Sequence, residues 1–253
     1  MSILAVEGLG KTYSGFQAVS DVSFALEAGE MLALIGPNGA GKSTCFNMIN
    51  GQLAPTSGRI SIFGRRADGM TPRQTWRLGV GRTFQITATF ASMTVAENVQ
   101  MALLSHHRRR WSTLRWAARL HAGEAASLLE LVGMADQAER SCGELAYGDL
   151  KRLELALALA NDPKLLLMDE PAAGMAPSER RALMSLTTRL ARERAIGVLF
   201  TEHDMDVVFG HADRVLVLNR GRLIAQGAPS AVRASAEVQA IYLGAGALYG
   251  AEP

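Results

Sequence analysis

The sequence predicts an α/β chain: a mostly parallel buried sheet, an antiparallel sheet at its edge, and a helical lobe inserted between the halves of the core. Three observations predict it. The runs at 165–168 and 197–201 are almost wholly apolar, as strands of a parallel sheet covered on both faces must be. The runs around Ile3, at 22–26 and at 60–62 alternate apolar with polar residues, which suits a half-buried antiparallel sheet. Between Gln85 and about Ala160 the apolar spacing changes to three and four, the period of an amphipathic helix.

In chain order, strands are expected at 3–6, 31–35, 59–63, 80–84, 165–168, 197–201, 214–218 and 223–225, and helices at 43–50, 94–105, 113–133 and 148–161. Pro163, Pro171, Pro177 and Pro229 stand where elements are expected to end. The chain of 253 residues can bury one full core with a small lobe attached, so a single domain is predicted, with 1–85 and 161–253 as its core and 86–160 as the helical insertion.

Composition excludes several classes. A net charge of +2, from 26 basic and 24 acidic residues, gives no global field that would draw nucleic acid. Two cysteines, Cys45 and Cys142, make no disulfide framework and suit a reducing compartment. The first residues lack a basic segment followed by an apolar stretch, so no leader peptide is expected. The longest apolar runs fall short of the roughly 20 residues that span a bilayer. The run His106-His-Arg-Arg-Arg reads either as a solvated helix end or as a basic patch for anionic lipid or an acidic partner.

The most specific signal is residues 36–44, Gly-Pro-Asn-Gly-Ala-Gly-Lys-Ser-Thr, which fit G-x-x-x-x-G-K-[ST] between an apolar strand and a helix. A Gly-rich turn entering a helix N-terminus aims several backbone N–H groups at one point, where the helix dipole favours an anion. Gly36, Pro37, Asn38, Gly39, Ala40, Gly41, Lys42, Ser43 and Thr44 are therefore the candidate phosphate cradle of a P-loop NTPase core, with Lys42 supplying charge and Ser43 a hydroxyl for Mg²⁺. Lysine is scarce here, at positions 11, 42, 151 and 164 only, yet one falls inside this motif. About 125 residues on, Leu165-Leu-Leu-Met-Asp169-Glu170 is a buried strand ending in two carboxylates, one suited to a metal ion and one to activating water.

Gln85 after its strand, His203 in Thr-Glu-His-Asp, and Leu145-Ala-Tyr-Gly-Asp149 opening a helix complete an ordered set. With these motifs the chain resembles the ATP-binding subunits of ABC transporters over nearly its whole length. The resemblance implies a RecA-like core and a set of roles. Tyr13 would stack on adenine, and Gly36–Thr44 would hold the phosphates. Ser43, Gln85 and Asp169 would serve Mg²⁺; Glu170 would be the general base, with His203 at the γ-phosphate and Gln85 reporting to a membrane partner. Ala146, Tyr147, Gly148 and Asp149 would face the ATP of a second subunit in a head-to-tail sandwich.

The pattern departs from the family at its signature and at one position beyond it. The usual Leu-Ser-Gly-Gly-Gln has Ala146 for Ser, Tyr147 for Gly and Asp149 for Gln, and Ala176 stands where an aspartate is usual. The missing hydroxyl removes a bond to a charged group worth about 1.5–3 kcal/mol. Asp149 is expected to cap its helix rather than confront a phosphate. The same segments, with Pro-Ala-Ala-Gly-Met-Ala-Pro and Thr-Glu-His-Asp-Met-Asp, are similar to the ATPases of branched-chain amino acid importers. That likeness implies a partner ATPase subunit, non-identical or identical, two transmembrane permease chains, and indirectly a periplasmic solute-binding protein. It also implies a place on the cytoplasmic face of a bacterial inner membrane and no nucleic acid. A low-turnover regulatory subunit, or an importer of urea, amides or aromatic acids, is the alternative. Residues 90–98, just beyond Gln85, read either as a permease dock or as core of the helical lobe.

Overall fold

The computed structural model describes residues 2–83, 89–106 and 121–243. Gln85, the basic residues 107–110 and the first part of the helix expected at 113–133 lie outside them. The chain opens with a long hairpin, β1 (Ser2–Tyr13) and β2 (Phe16–Glu27), followed by β3 (Met31–Ile35) and α1 (Lys42–Ile49). Then come β4 (Ser57–Ile62), β5 (Arg65–Arg66), α2 (Pro72–Arg77) and β6 (Val80–Thr83). The helical part holds α3 (Val95–His106), α4 (Ala122–Leu131) and α5 (Tyr147–Leu159). The core resumes with β7 (Leu165–Asp169), α6 (Pro177–Glu193), β8 (Gly197–Thr201), α7 (Met205–His211), β9 (Arg214–Asn219) and β10 (Arg222–Gly227), and closes with α8 (Pro229–Ala234) and α9 (Ala236–Leu243).

Two sheets carry the fold. One is antiparallel in the order β2-β1-β4-β5; the other runs β10-β9-β3-β8-β7-β6, parallel except for β10. All five residues of β3 are buried because this sheet is covered on both faces. Its alternation divides the core: Leu32 and Leu34 pack with Phe46 of α1 and with the antiparallel sheet, while Met31, Ala33 and Ile35 face the side that holds α3, α4 and α5. The α/β reading, the parallel centre and the antiparallel edge all hold.

Differences from expectation have local causes. The first two strands run to twelve residues each, because Ser14 and Gly15 both take positive φ (44° and 89°) and turn a tight hairpin. Irregularities of register within that hairpin break up the alternation that sequence reading relies on. Pro177 and Pro229 begin helices rather than end elements, since a first-turn residue has no intrahelical N–H bond to lose. Thr94 and Glu97 close a reciprocal cap on α3, Glu97 N–H to Thr94 Oγ1 at 3.1 Å and Thr94 N–H to Glu97 Oε2 at 2.8 Å. Asp149 is not a helix cap. Ala146 holds that position, no side chain among the described residues caps α5, and Asp149 lies in the first turn, where its charge meets the positive helix end.

Candidate active site

The site forms at the carboxyl ends of β3, β7 and β8, three neighbours in the parallel sheet, where open α/β sheets place their ligands. From β3 the chain enters the turn 36–41. Two glycines make that path available. A Cβ on Gly36 would lie 2.1 Å from the Leu218 carbonyl oxygen, and Gly41, the N-cap of α1, has φ 104° with the Ala18 carbonyl oxygen 2.7 Å from where a Cβ would be. The turn is held by Ala40 N–H to Pro37 O (3.1 Å) and Gly221 N–H to Ala40 O (2.9 Å). Beyond it the first-turn N–H groups of α1 have no intrahelical partner and are open to an anion.

Lys42 is buried and its Nζ donates to the carbonyls of Gly36 (2.6 Å) and Pro37 (3.2 Å), so the ammonium is folded back into the turn. Burial lowers its pKa, and the nearby carboxylates of Glu170 and Asp169 oppose that shift by favouring the charge. The charges of Glu170 and Asp169 are thus near enough to act on Lys42. Ser43, the next residue, is only the second of α1.

β7 delivers Asp169 and Glu170. The Thr201 hydroxyl at the end of β8 donates to Asp169 Oδ1 at 2.7 Å and accepts from Glu170 N–H at 3.0 Å. Glu170 takes φ 51°, a left-handed conformation uncommon for a residue with a Cβ, and its Oε1 lies 2.7 Å from His203 Nε2. The γ-phosphate role expected for His203 would use the same ring that here holds Glu170. A hydroxyl at Ser43 and a carboxylate at Asp169 are hard oxygen donors of the kind Mg²⁺ takes alongside phosphate oxygens and water, so these residues fit that ion. Among the described residues no group of three or more His, Cys, Asp or Glu is arranged to hold a metal, as expected where phosphates supply part of the shell.

Tyr13 ends β1 half-exposed, with Lys11 Nζ 5.3 Å from its ring centroid. Opposite it in the hairpin stands Phe16, 68% exposed, an aromatic that sequence reasoning passed over. Its signal was available: a large apolar residue beside a turn glycine has no core to enter. Glu202, between β8 and His203, is buried and was passed over as well, since nothing in its local pattern marks it.

Ala146, Tyr147, Gly148 and Asp149 open α5 and rest against the segment after Glu170. A Cβ on Gly174 would be 3.3 Å from Tyr147 Cε1, and one on Gly148 would be 3.1 Å from the Glu179 carboxyl carbon. Glu179 also accepts from Ala176 N–H at 3.4 Å, so a carboxylate stands beside the opening of α5. One turn further along α5, Lys151 lies 5.5 Å from the Tyr147 ring centroid and pairs with Glu154 at 3.0 Å inside the protein. Cys45, behind the phosphate turn, is buried, and desolvation pushes its thiol up to about 12, which leaves it inert as a nucleophile.

Between the core and the helical part lies a groove of about 740 Å³, lined by Trp76, Val80, Phe90, Met101 and Leu157, with Arg73 and Arg77 also on its walls. Phe90 is 54% exposed, and its backbone is fixed by Asn98, which accepts from Phe90 N–H at 2.8 Å and donates to its carbonyl at 3.2 Å. The segment 90–98 therefore forms a wall of the groove rather than only the interior of the lobe.

Comparison with known proteins agrees with this geometry. Residues 19–173 match the family model described as ABC transporter. The chain is 39% identical over 252 residues to the high-affinity branched-chain amino acid transport ATP-binding protein LivG of Salmonella typhimurium, covering 96% of this chain and 98% of that protein. It is 38% identical over 249 residues to BraF, the high-affinity branched-chain amino acid transport ATP-binding protein of Pseudomonas aeruginosa, at the same coverage. Among solved structures, the ADP conformation of MJ1267, an ATP-binding cassette of an ABC transporter, superposes with a TM-score of 0.85 at 30% identity, covering 96% of this chain and 99% of the other. A Gly-rich turn at a helix N-terminus, two carboxylates at a strand tip and a histidine on the second of them suit a nucleotide-hydrolysing centre. With a family match over more than half its length, the chain belongs to the ABC transporter family and is one of that family's ATP-binding, ATP-hydrolysing subunits.

Proposed function

We propose that this chain powers the import of branched-chain amino acids or closely related small solutes, as one of two ATPase subunits on the cytoplasmic face of a bacterial inner membrane. The observation that carries the hydrolytic part is that Lys42 lies within electrostatic reach of Asp169 and Glu170 while His203 bonds Glu170 at 2.7 Å. The solute is inferred from the names of LivG and BraF, which this chain matches along nearly its full length. No helix among the described residues is long and apolar enough to cross a membrane, so translocation needs partner chains that do.

Each part of the chain has its share of the work. Residues 1–85 and 161–253 act as the nucleotide-binding core and 86–160 as the helical lobe. Tyr13 stacks on the adenine, and the turn Gly36–Thr44 holds the phosphates. Lys42 leaves the Gly36 and Pro37 carbonyls for the outer phosphates. Ser43, Asp169 and Gln85 hold Mg²⁺, which supplies charge neutralisation at the phosphate oxygens when bound. Glu170 takes the proton of the attacking water, and His203 positions that carboxylate and the γ-phosphate in turn. Ala146, Tyr147, Gly148 and Asp149 present the start of α5 to the ATP of the second subunit, so two nucleotides join two subunits and hydrolysis releases them.

The groove beside α3 receives a short helix of a permease chain. Its apolar walls suit such a helix. The test is ATP hydrolysis by the purified chain alone and in the reconstituted complex with permease and partner ATPase. Stimulation by the complex and by branched-chain amino acids supports the reading. A rate unchanged by the membrane subunits, or by those solutes, overturns it.

A further inference from the structure

Four consecutive residues, Thr201 to Asp204, leave β8 and run beside the chain that follows β7, and each of the four is bonded to it or to the helix it enters. Thr201 holds Asp169 and Glu170 through its hydroxyl (2.7 and 3.0 Å). Glu202, 4% exposed, accepts the N–H of Ala172 on Oε1 at 2.8 Å and the N–H of His203 on Oε2 at 3.3 Å. His203 meets Glu170 at 2.7 Å. Asp204 pairs with Nη1 of Arg180 on α6, while Arg180 Nη2 donates to the Met175 carbonyl at 3.2 Å. The second oxygen of Asp204 caps α7, accepting from Asp206 N–H at 2.9 Å and Val207 N–H at 3.3 Å.

The two bonds at Ala172 and Met175 fix both ends of the turn 172–175, one made by Glu202 and the other by the Arg180 that Asp204 holds. The anchors therefore sit on either side of His203. A charge buried as deeply as Glu202 is retained only where something favours it. Burial pushes its carboxyl pKa up and the Glu170 charge adds to that, while the Ala172 and His203 N–H groups and the Arg180 charge work against the shift. Arg180 thus anchors Asp204 and Met175 directly, and its charge acts on Glu202, the side chain that anchors Ala172.

We infer that Arg180 and Glu202 are positioning residues that bind the turn 172–175 to the backbone on both sides of His203, so that the histidine and this turn move as one body. The consequence for this chain is specific. By the family resemblance, the aspartate usual at position 176 helps couple the two nucleotide sites; Ala176 has no such group, and a link from His203 toward a second subunit would instead run inside one chain. The interface part of this statement rests on the two-subunit reading above; the clamp itself does not.

The experiment compares kcat and KM for ATP in the full-length chain and in Arg180→Met, Arg180→Lys, Glu202→Ala, Glu202→Gln and the double variant Arg180→Met/Glu202→Ala, with melting temperature followed in each. Arg180→Met and Glu202→Ala are each expected to lower kcat about tenfold and leave KM within about twofold, because the phosphate turn is untouched. Arg180→Lys, which keeps a cation beside Asp204, and Glu202→Gln, which keeps an acceptor for Ala172, should each recover at least half of the lost rate. The double variant should be no slower than the worse single one, since both hold the same turn. Losses that multiply, conservative variants as slow as the severe ones, KM rising with kcat unchanged, or rates that only follow the folded fraction would each overturn the clamp. A wild-type rate that does not rise with the concentration of ATPase subunits would count against the two-subunit reading alone, since the variants still report on the clamp through the chain's own turnover.

Discussion

Glu170 and His203 are joined across two strand ends, Oε1 to Nε2 at 2.7 Å, and Glu170 is held there in a left-handed backbone conformation. An ionised carboxylate at this distance requires the imidazole proton on Nε2, so the histidine fixes where the carboxylate can meet a water. Glu170→Gln keeps the size of the side chain and removes its basicity. It is expected to bind ATP as the wild type does and to hydrolyse it about 10²–10⁴-fold more slowly, measured as single-turnover rate beside nucleotide affinity. Equal loss of binding and turnover would place Glu170 in holding the nucleotide rather than in proton transfer.

The phosphate turn depends on close backbone approach as well as on Lys42. Gly36→Ala would set a methyl carbon 2.1 Å from the Leu218 carbonyl oxygen, a backbone atom that cannot rotate away. A loss of about 1–3 kcal/mol in unfolding free energy is expected, by denaturant titration, together with loss of ATP affinity. Unchanged stability would mean that β9 can shift away from the turn at no cost.

The opening of α5 carries a further expectation. Asp149 stands in its first turn without capping it, and Glu179 places a second carboxylate beside Gly148. In the proposed head-to-tail arrangement, where the start of α5 would face the partner's phosphates, these two negative charges should slow the site that this chain would complete. With one nucleotide site disabled at a time, that site should hydrolyse more slowly than the other, and Ala146→Ser with Asp149→Gln should narrow the gap. Matched single-turnover rates in the parent complex would sink this expectation.

His211, at the end of α7, provides a pH test remote from the chemistry. Its environment lowers its pKa below 6.5 through desolvation. The unfolded chain then takes up the proton first as pH falls, so this residue's contribution is present above about 6.5 and is lost as pH drops through the folded value. Stability should therefore rise with pH across that window, and His211→Gln should flatten the slope in urea titrations at stepped pH. An equally steep slope in the variant would assign the dependence to other groups.

The sequence by itself determined the α/β class, the Gly-rich turn and the carboxylate pair, because each is written in a local pattern. Five buried residues in a row make a strand covered on both faces, and Gly36 to Thr44 run as a Gly-rich turn from that strand into a helix. The order of motifs was equally legible, and with it the family. Tertiary structure alone decided which groups meet. Thr201 and Asp169 are 32 positions apart and touch only because β7 and β8 pair in register. No local pattern sets Glu202 or Arg180 apart from other charged residues. Their significance comes from burial and neighbours, which no local period encodes. Asp149 shows the same limit in reverse: its residue type suited a cap, but the position of the helix start relative to the chain is set by how α5 packs, and that gave the cap to Ala146.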